Sequence, residues 1–368
     1  MSDPRIENLA KILVDYSIKV KPGDWVLVNA SVVALPLAME VIRQVLRAGG
    51  NPNVLFDTDD LAEIVLQESS EAQLEWVSPA EKMFVEQADA MISLRAASNT
   101  RAMTGVDPKK QRLRQVARLQ IMQTYMQRSA EGSLRWVATY FPCQAFAQDA
   151  EMSLRQYEDF VYAATFADRP DPVKAWQEVN DRQERLVKWL EGKELVQLRG
   201  PNCDLNLSVS GRKFINCSGS SNMPDGEIFT GPVEESANGW VRFTYPAVHG
   251  GREVEGVELE FKDGRVVGAR AKKNEDYLLA LLDSDSGARY LGEFAIGTNY
   301  GIQRFTRSIL FDEKIGGSFH MAVGSGYPES GSKNVSSLHW DFICDMRQDS
   351  EIWVDGELFY RNGEFQVG

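Results

Sequence analysis

Histidine is almost absent: three occur in 368 residues, His249, His320 and His339. Any chemistry that needs imidazole has three candidates. Cysteine is nearly as scarce. Cys143, Cys203, Cys217 and Cys344 lie far apart with no C-x-x-C pair, which excludes a disulfide framework and reads as reduced thiols. Positive charge is short: 40 Lys and Arg stand against 53 Asp and Glu, a net charge of −13. Nucleic acid and anionic membrane need clustered cations, so neither is an expected partner. No long hydrophobic run exists. The longest, Val32 to Met39, contains Pro36 and ends at Glu40, too short to span a bilayer. The first twenty residues carry charges throughout and lack the apolar core of a signal peptide, so a cytoplasmic location is expected. Glycine is missing from the turn Asn29–Leu35, where a dinucleotide fingerprint would need it. No phosphate loop, H-E-x-x-H or G-x-S-x-G elbow occurs either.

What is present divides into two textures. In the first, Asp3 and Pro4 open a helix. Trp25–Val28 reads as a buried strand. Leu37, Val41, Ile42, Val45 and Leu46 form a helix face closed by Gly49-Gly50, and Val54–Phe56 is the next strand. Strand–helix–strand implies a parallel sheet. Ala90–Leu94 and Trp136–Tyr140 continue it, with one long polar helix from Pro108 to about Ser129 between them. A helix opened by Asp171-Pro172 and closed by Gly192 ends this part. Beyond Leu195, short alternating runs are separated by Asp225-Gly226, Asp263-Gly264, Asp355-Gly356 and Asn362-Gly363, which are hairpin signals. A helix over Glu275–Leu282 interrupts them. The expected fold is an α/β domain with a mainly parallel sheet, 1–192, followed by a β-rich α+β domain, 193–368. The first has no cofactor signature and reads as a scaffold or a partner surface rather than a cofactor site.

The second domain holds the chemistry. In Leu338-His339-Trp340-Asp341-Phe342, strand parity sends His339 and Asp341 to one face and the bulky apolar residues to the other. A histidine hydrogen-bonded to a neighbouring carboxylate would look the same. His320 repeats the alternation after Gly316-Gly317, and as a lone histidine it fits a core position equally. Glu293 interrupts the apolar run Tyr290–Ile296, so its charge needs a partner, either a metal ion or Arg/Lys. Glu227 follows Asp225-Gly226 and is an exposed hairpin residue or an enclosed ligand. Together they give two imidazoles with three or four carboxylates, a set that suits Zn²⁺, Co²⁺ or Mn²⁺. Five or six ligands exceed what one tetrahedral ion needs and point to a pair of divalent ions.

The blocks NMPDGEIFTGP, GEFAIGTN, FDEKIGGSFHMAVGSGYP and LHWDF stand in that order. In this they resemble the thermophilic metallo-aminopeptidases, the family of aminopeptidase T, aminopeptidase S and PepS. The resemblance implies two divalent ions held by Glu227, Glu293, His320, His339 and Asp341, with Glu313 a further ligand. It implies Tyr327 as a catalytic residue and Glu227 or Glu293 as the group that handles the water. It implies a dimer that removes N-terminal residues from peptides with a free N-terminus. Two other readings stand beside it. One is a different two-metal hydrolase, of phosphoesterase or amidohydrolase type. The other is a non-enzymatic module carrying a structural ion.

Overall fold

A computed structural model of the chain describes residues 3–367. The chain forms two compact units. One runs through Trp176 and takes back Gly219–Pro224; the other holds Gln177–Ser218 and everything from Asp225 onward. The division falls inside the helix Pro172–Leu190.

The first unit is α/β. Its opening helix, Pro4–Lys11, is capped by the Asp3 carboxylate, which accepts the Arg5 N–H, and has Pro4 at its first position, where a missing N–H costs nothing. Five parallel strands stand in the spatial order Asn51–Asp57, Trp25–Ser31, Ala90–Arg95, Arg135–Tyr140 and Asn222–Met223. Val26, Leu27 and Val28 are consecutive and all buried, as expected for a strand covered on both faces. Two features differ from the sequence expectation. The long polar helix is two helices, Pro108–Ala117 and Leu119–Ala130, because Arg118 leaves helical geometry at φ −90° and ψ 1°; no Pro or Gly marks the joint. The fifth strand, only two residues long, comes from the second half of the chain, and so short a run carries no periodicity to read.

The second unit is built on antiparallel sheets of eight, five and two strands. Three of the four expected turns close hairpins. At Asp263-Gly264, Asp355-Gly356 and Asn362-Gly363 both residues have positive φ, between 49° and 87°, the geometry whose twist matches flanking strands. Asp225-Gly226 does not close a hairpin. It links Asn222–Met223 of the parallel sheet to Glu227–Thr230 of the five-stranded sheet, and only Gly226 of the pair has positive φ. The helix Glu275–Leu282 forms as expected.

The five-stranded sheet runs His339–Asp345, Ser318–Gly324, Leu291–Gly297, Glu227–Thr230, Ile215–Cys217 in spatial order. One face is apolar. Phe294, Ile296, Phe319, Met321, Val323, Trp340, Phe342 and Cys344 are buried in a single hydrophobic cluster. Each such side chain contributes about 1.5–3 kcal/mol on burial. That anchoring fixes which residues must face the other way. Among the described residues, no helix is long and apolar enough to cross a membrane.

Candidate metal centre

The register of the five-stranded sheet assembles the site. Opposed residues of an antiparallel ladder share a face. Glu293, Ala322 and Asp341 stand in one row across three strands. Phe229, Ala295 and His320 form another, Gly297 pairs with Glu227, and Gly324 pairs with His339. Alternation then places Glu227, Glu293, His320, His339 and Asp341 on one face. Between them lie Ala295, Ala322 and Gly297, which leave space rather than fill it.

Glu293 reaches that face through a bulge. Leu291 pairs with Val323 and Glu293 with Ala322, so two steps on one strand match one on its neighbour. The extra residue is Gly292. In a regular strand Leu291 and Glu293, two residues apart, would share a face; with the bulge, Leu291 enters the core and Glu293 turns to the site. A Cβ at position 292 would run into the carbonyl oxygens of Ser325 and Gly324, so the close approach requires glycine.

The ligand-type atoms converge. His320 Nε2 lies 3.4 Å from Glu227 Oε2 and 3.5 Å from Glu293 Oε1. His339 Nε2 lies 3.5 Å from Glu293 Oε2 and 3.6 Å from Asp341 Oδ1. These separations are long for hydrogen bonds. They match the edge, roughly 3.3–3.6 Å, of a tetrahedron whose corners sit about 2.0–2.2 Å from a central ion. Glu227 Oε2 and Asp341 Oδ1 are buried without a hydrogen-bond donor, a situation that costs about 1–3 kcal/mol or more for a charged group unless something else satisfies it. The donor set, its spacing and its orphaned oxygens fit a divalent cation. The six expected ligands form three triads with mutual ligand-atom distances within 4.8 Å: Glu227–Glu293–His320, Glu293–His339–Asp341 and Glu313–His320–Asp341.

The orientation of His339 is settled by its own hydrogen bond. Nδ1 is 2.7 Å from the Ser325 carbonyl oxygen. A carbonyl only accepts, so Nδ1 carries a proton and Nε2 is the nitrogen that faces Glu293 and Asp341. Of the two partners expected for Glu293, Arg/Lys or a metal ion, no Arg or Lys pairs with it among the described residues. Its two oxygens face one histidine each.

Crowding shows in the proton affinities. Burial pushes the Glu227 carboxyl up despite the pull of Lys314. Burial also raises Asp341, against the pull of His339. Burial opposes charge on His320 and His339, yet the carboxylates around them win and raise both rings. The metal-free group therefore holds protons where an ion would sit.

The remaining candidates lie alongside. Glu313 caps the short helix Ile309–Asp312 and joins the third triad. Tyr327 packs edge-on against His339 and Phe229, with ring centroids 5.2 and 5.4 Å away. Burial and the carboxylates of Glu293, Asp341, Glu313 and Glu227 push its phenol well up, so the hydroxyl stays a donor. All six expected ligands and Tyr327 thus gather at one place. Two participants were not expected. Lys314 is fully buried against Glu227, Asp225 and Glu313. Gly292 makes the bulge. A lone glycine in a strand pattern is the usual sign of a bulge; Lys314, following Asp312-Glu313, reads as a surface lysine.

Comparison with known proteins agrees with this geometry. The chain is 29% identical to Aminopeptidase 2 of Geobacillus stearothermophilus, over 99% of this chain and 98% of that protein. It is 27% identical to Aminopeptidase AmpS of Bacillus subtilis, over 98% of each. The solved structure of wild-type AmpT from Thermus thermophilus superposes with a TM-score of 0.84 at 26% identity, covering 99% of both chains. The profile described as "Thermophilic metalloprotease (M29)" matches residues 2–365. With a donor set built for a divalent ion and a family profile spanning nearly its whole length, the chain belongs to the thermophilic metalloprotease (M29) family, whose members are metal-dependent peptide hydrolases.

Proposed function

We propose that this protein is an aminopeptidase that releases N-terminal residues from peptides with a free N-terminus, using two divalent ions. The observation that carries the reading is the shared position of Glu293. One of its oxygens belongs to the triad with Glu227 and His320, the other to the triad with His339 and Asp341. A carboxylate split between two triads is the arrangement of a bridging ligand. Charge supports the count. Asp225, Glu227, Glu293, Glu313 and Asp341 against the ammonium of Lys314 leave four negative charges, the complement of two divalent ions. Zn²⁺, Co²⁺ and Mn²⁺ suit these donors.

Ions bound there would supply Lewis acidity toward the scissile carbonyl and a water acidified to near neutral pH. The chain's own residues do the rest. Glu227, Glu293, His320, His339 and Asp341 are the ligands, with Glu313 at the edge. Glu293 or Glu227 takes the proton of the attacking water, and the shared position of Glu293 favours it. Tyr327 donates a hydrogen bond to the oxygen that becomes negative. The chain's overall negative charge of −13 suits a substrate that carries an ammonium. A phosphoester substrate would want an available cation, but Lys314 is buried and already paired. A cytoplasmic dimer is part of the reading. Four free cysteines support the first. The second is supported by apolar side chains on the first unit that are more than half exposed: Leu61, Ile64, Trp76, Met122 and Met126.

The test is a panel of aminoacyl-anilides and peptides on chelator-stripped protein reloaded with Co²⁺, Zn²⁺ or Mn²⁺. Metal-dependent release from free but not N-acetylated peptides is expected. Full activity in stripped protein, or turnover of phosphoesters alone, would overturn the assignment.

A further inference from the structure

Lys314 is buried to 0% exposure inside a group of metal-ligand side chains, and it is not itself a ligand. Its Nζ lies 3.1 Å from Glu227 Oε1 and 3.8 Å from Asp225 Oδ1, and it pairs with Glu313. Its backbone is pinned. Its N–H donates to the Phe311 carbonyl and its carbonyl accepts from Asn299 N–H, both at 3.1 Å; Asn299 in turn donates from Nδ2 to the Asp225 carbonyl at 2.8 Å. The ammonium therefore has a fixed post beside the 225–227 segment.

A buried ammonium is an expensive way to gain stability, since apolar side chains of equal volume do as well or better. Its position suggests another role. Cys217, Asp225 and Glu227 form a fourth triad of ligand atoms within 4.8 Å. Cys217 sits opposite Glu227 on the neighbouring strand. By donor type this triad would take a thiophilic divalent ion, and that ion would draw on Glu227, which the first triad also needs. The Lys314 ammonium meets the same two carboxylates. It also divides Glu227: Oε1 goes to Lys314, while Oε2 faces His320 at 3.4 Å.

We infer that Lys314 is a positioning residue, a built-in cation that closes the Cys217–Asp225–Glu227 triad to metal and commits Glu227 to His320 through Oε2 alone. This rests on the metal-site reading proposed above, and the two are separable by experiment. Co²⁺ is titrated into stripped protein and followed by calorimetry and absorption. Wild-type protein should bind Co²⁺ without a thiolate-to-cobalt charge-transfer band; if it binds none, the metal-site reading fails. Lys314→Met should bind one further Co²⁺ per chain and gain that band, and the double variant Lys314→Met/Cys217→Ser should lose it. A Lys314→Met protein with wild-type stoichiometry and no band would overturn the inference. Cys217→Ser alone provides a check that does not depend on Lys314→Met folding. Because the thiol is excluded from metal in the native protein, this variant should keep the wild-type cobalt spectrum and affinity. A changed spectrum would show that Lys314 does not close the triad.

Discussion

Replacing Tyr327 by Phe removes one oxygen and little else. The ring is edge-on to His339 and Phe229, contacts that a phenylalanine ring keeps. The residue is 41% exposed, so losing the hydroxyl opens no sealed cavity, and stability should change by no more than about 0.5 kcal/mol. The hydroxyl has no hydrogen-bond partner among the described residues and stands in the field of Glu293, Asp341, Glu313 and Glu227. A protonated donor held beside that cluster and not engaged by the protein is placed to meet a substrate oxygen. If it stabilises the developing oxyanion, its loss should lower kcat by about 10²–10³-fold, or roughly 2.7–4 kcal/mol. KM should move little, because the bond strengthens only as charge develops. The assay is steady-state kinetics on an aminoacyl-anilide, with metal content and melting temperature measured on the same preparation. Turnover within threefold of wild type would refute the role, since the ring would then serve only to pack. Loss of metal with loss of turnover would refute it differently, by placing the phenol in the ligand shell.

Asp341→Asn should weaken divalent-ion binding at least about 100-fold, beyond what loss of an outer partner of a ligand causes. Asp345→Asn should leave binding unchanged, because the Asp345 carboxylate pairs with Arg347 and Tyr245; its cost, about 1 kcal/mol, falls on stability. Calorimetric titration of both variants, with melting temperatures, checks the pair. Metal affinity should also rise with pH. His320, His339, Glu227 and Asp341 are all shifted toward their protonated forms, whereas binding needs neutral imidazole and ionised carboxylate, so protons must leave as the ion enters. Titrations near pH 7 in buffers of different ionisation enthalpy should show at least one proton released per chain. A pH-independent affinity would contradict the raised proton affinities.

Much of the site was legible because strand parity is a strict rule. His339 and Asp341 separate from Trp340 and Phe342 in the structure as alternation required: the latter two are buried in the core and the former two are less covered. Cys344 joins the core on the same argument. The hairpins at Asp263-Gly264, Asp355-Gly356 and Asn362-Gly363 were legible because left-handed backbone at two successive positions selects those residues. Asp225-Gly226 carries the same pair but turns the chain from one sheet to another, and dipeptide composition does not distinguish the two uses. The break at Arg118 was hidden because nothing in its side chain opposes helix. Lys314 was hidden for a different reason. A lysine reads as surface until its partners are known, and its three carboxylates are distributed over positions 225 to 313.

The bulge at Gly292 sets local regularity against activity. Without the bulge, all seven residues of Leu291–Gly297 would take ladder positions against Ser318–Gly324, and backbone pairing would gain from it. That regular register would put Leu291 and Glu293 on the same face, forcing either Leu291 out of the core or Glu293 away from the histidines. The best-paired form of this strand is thus one that cannot hold Glu293 between the two triads.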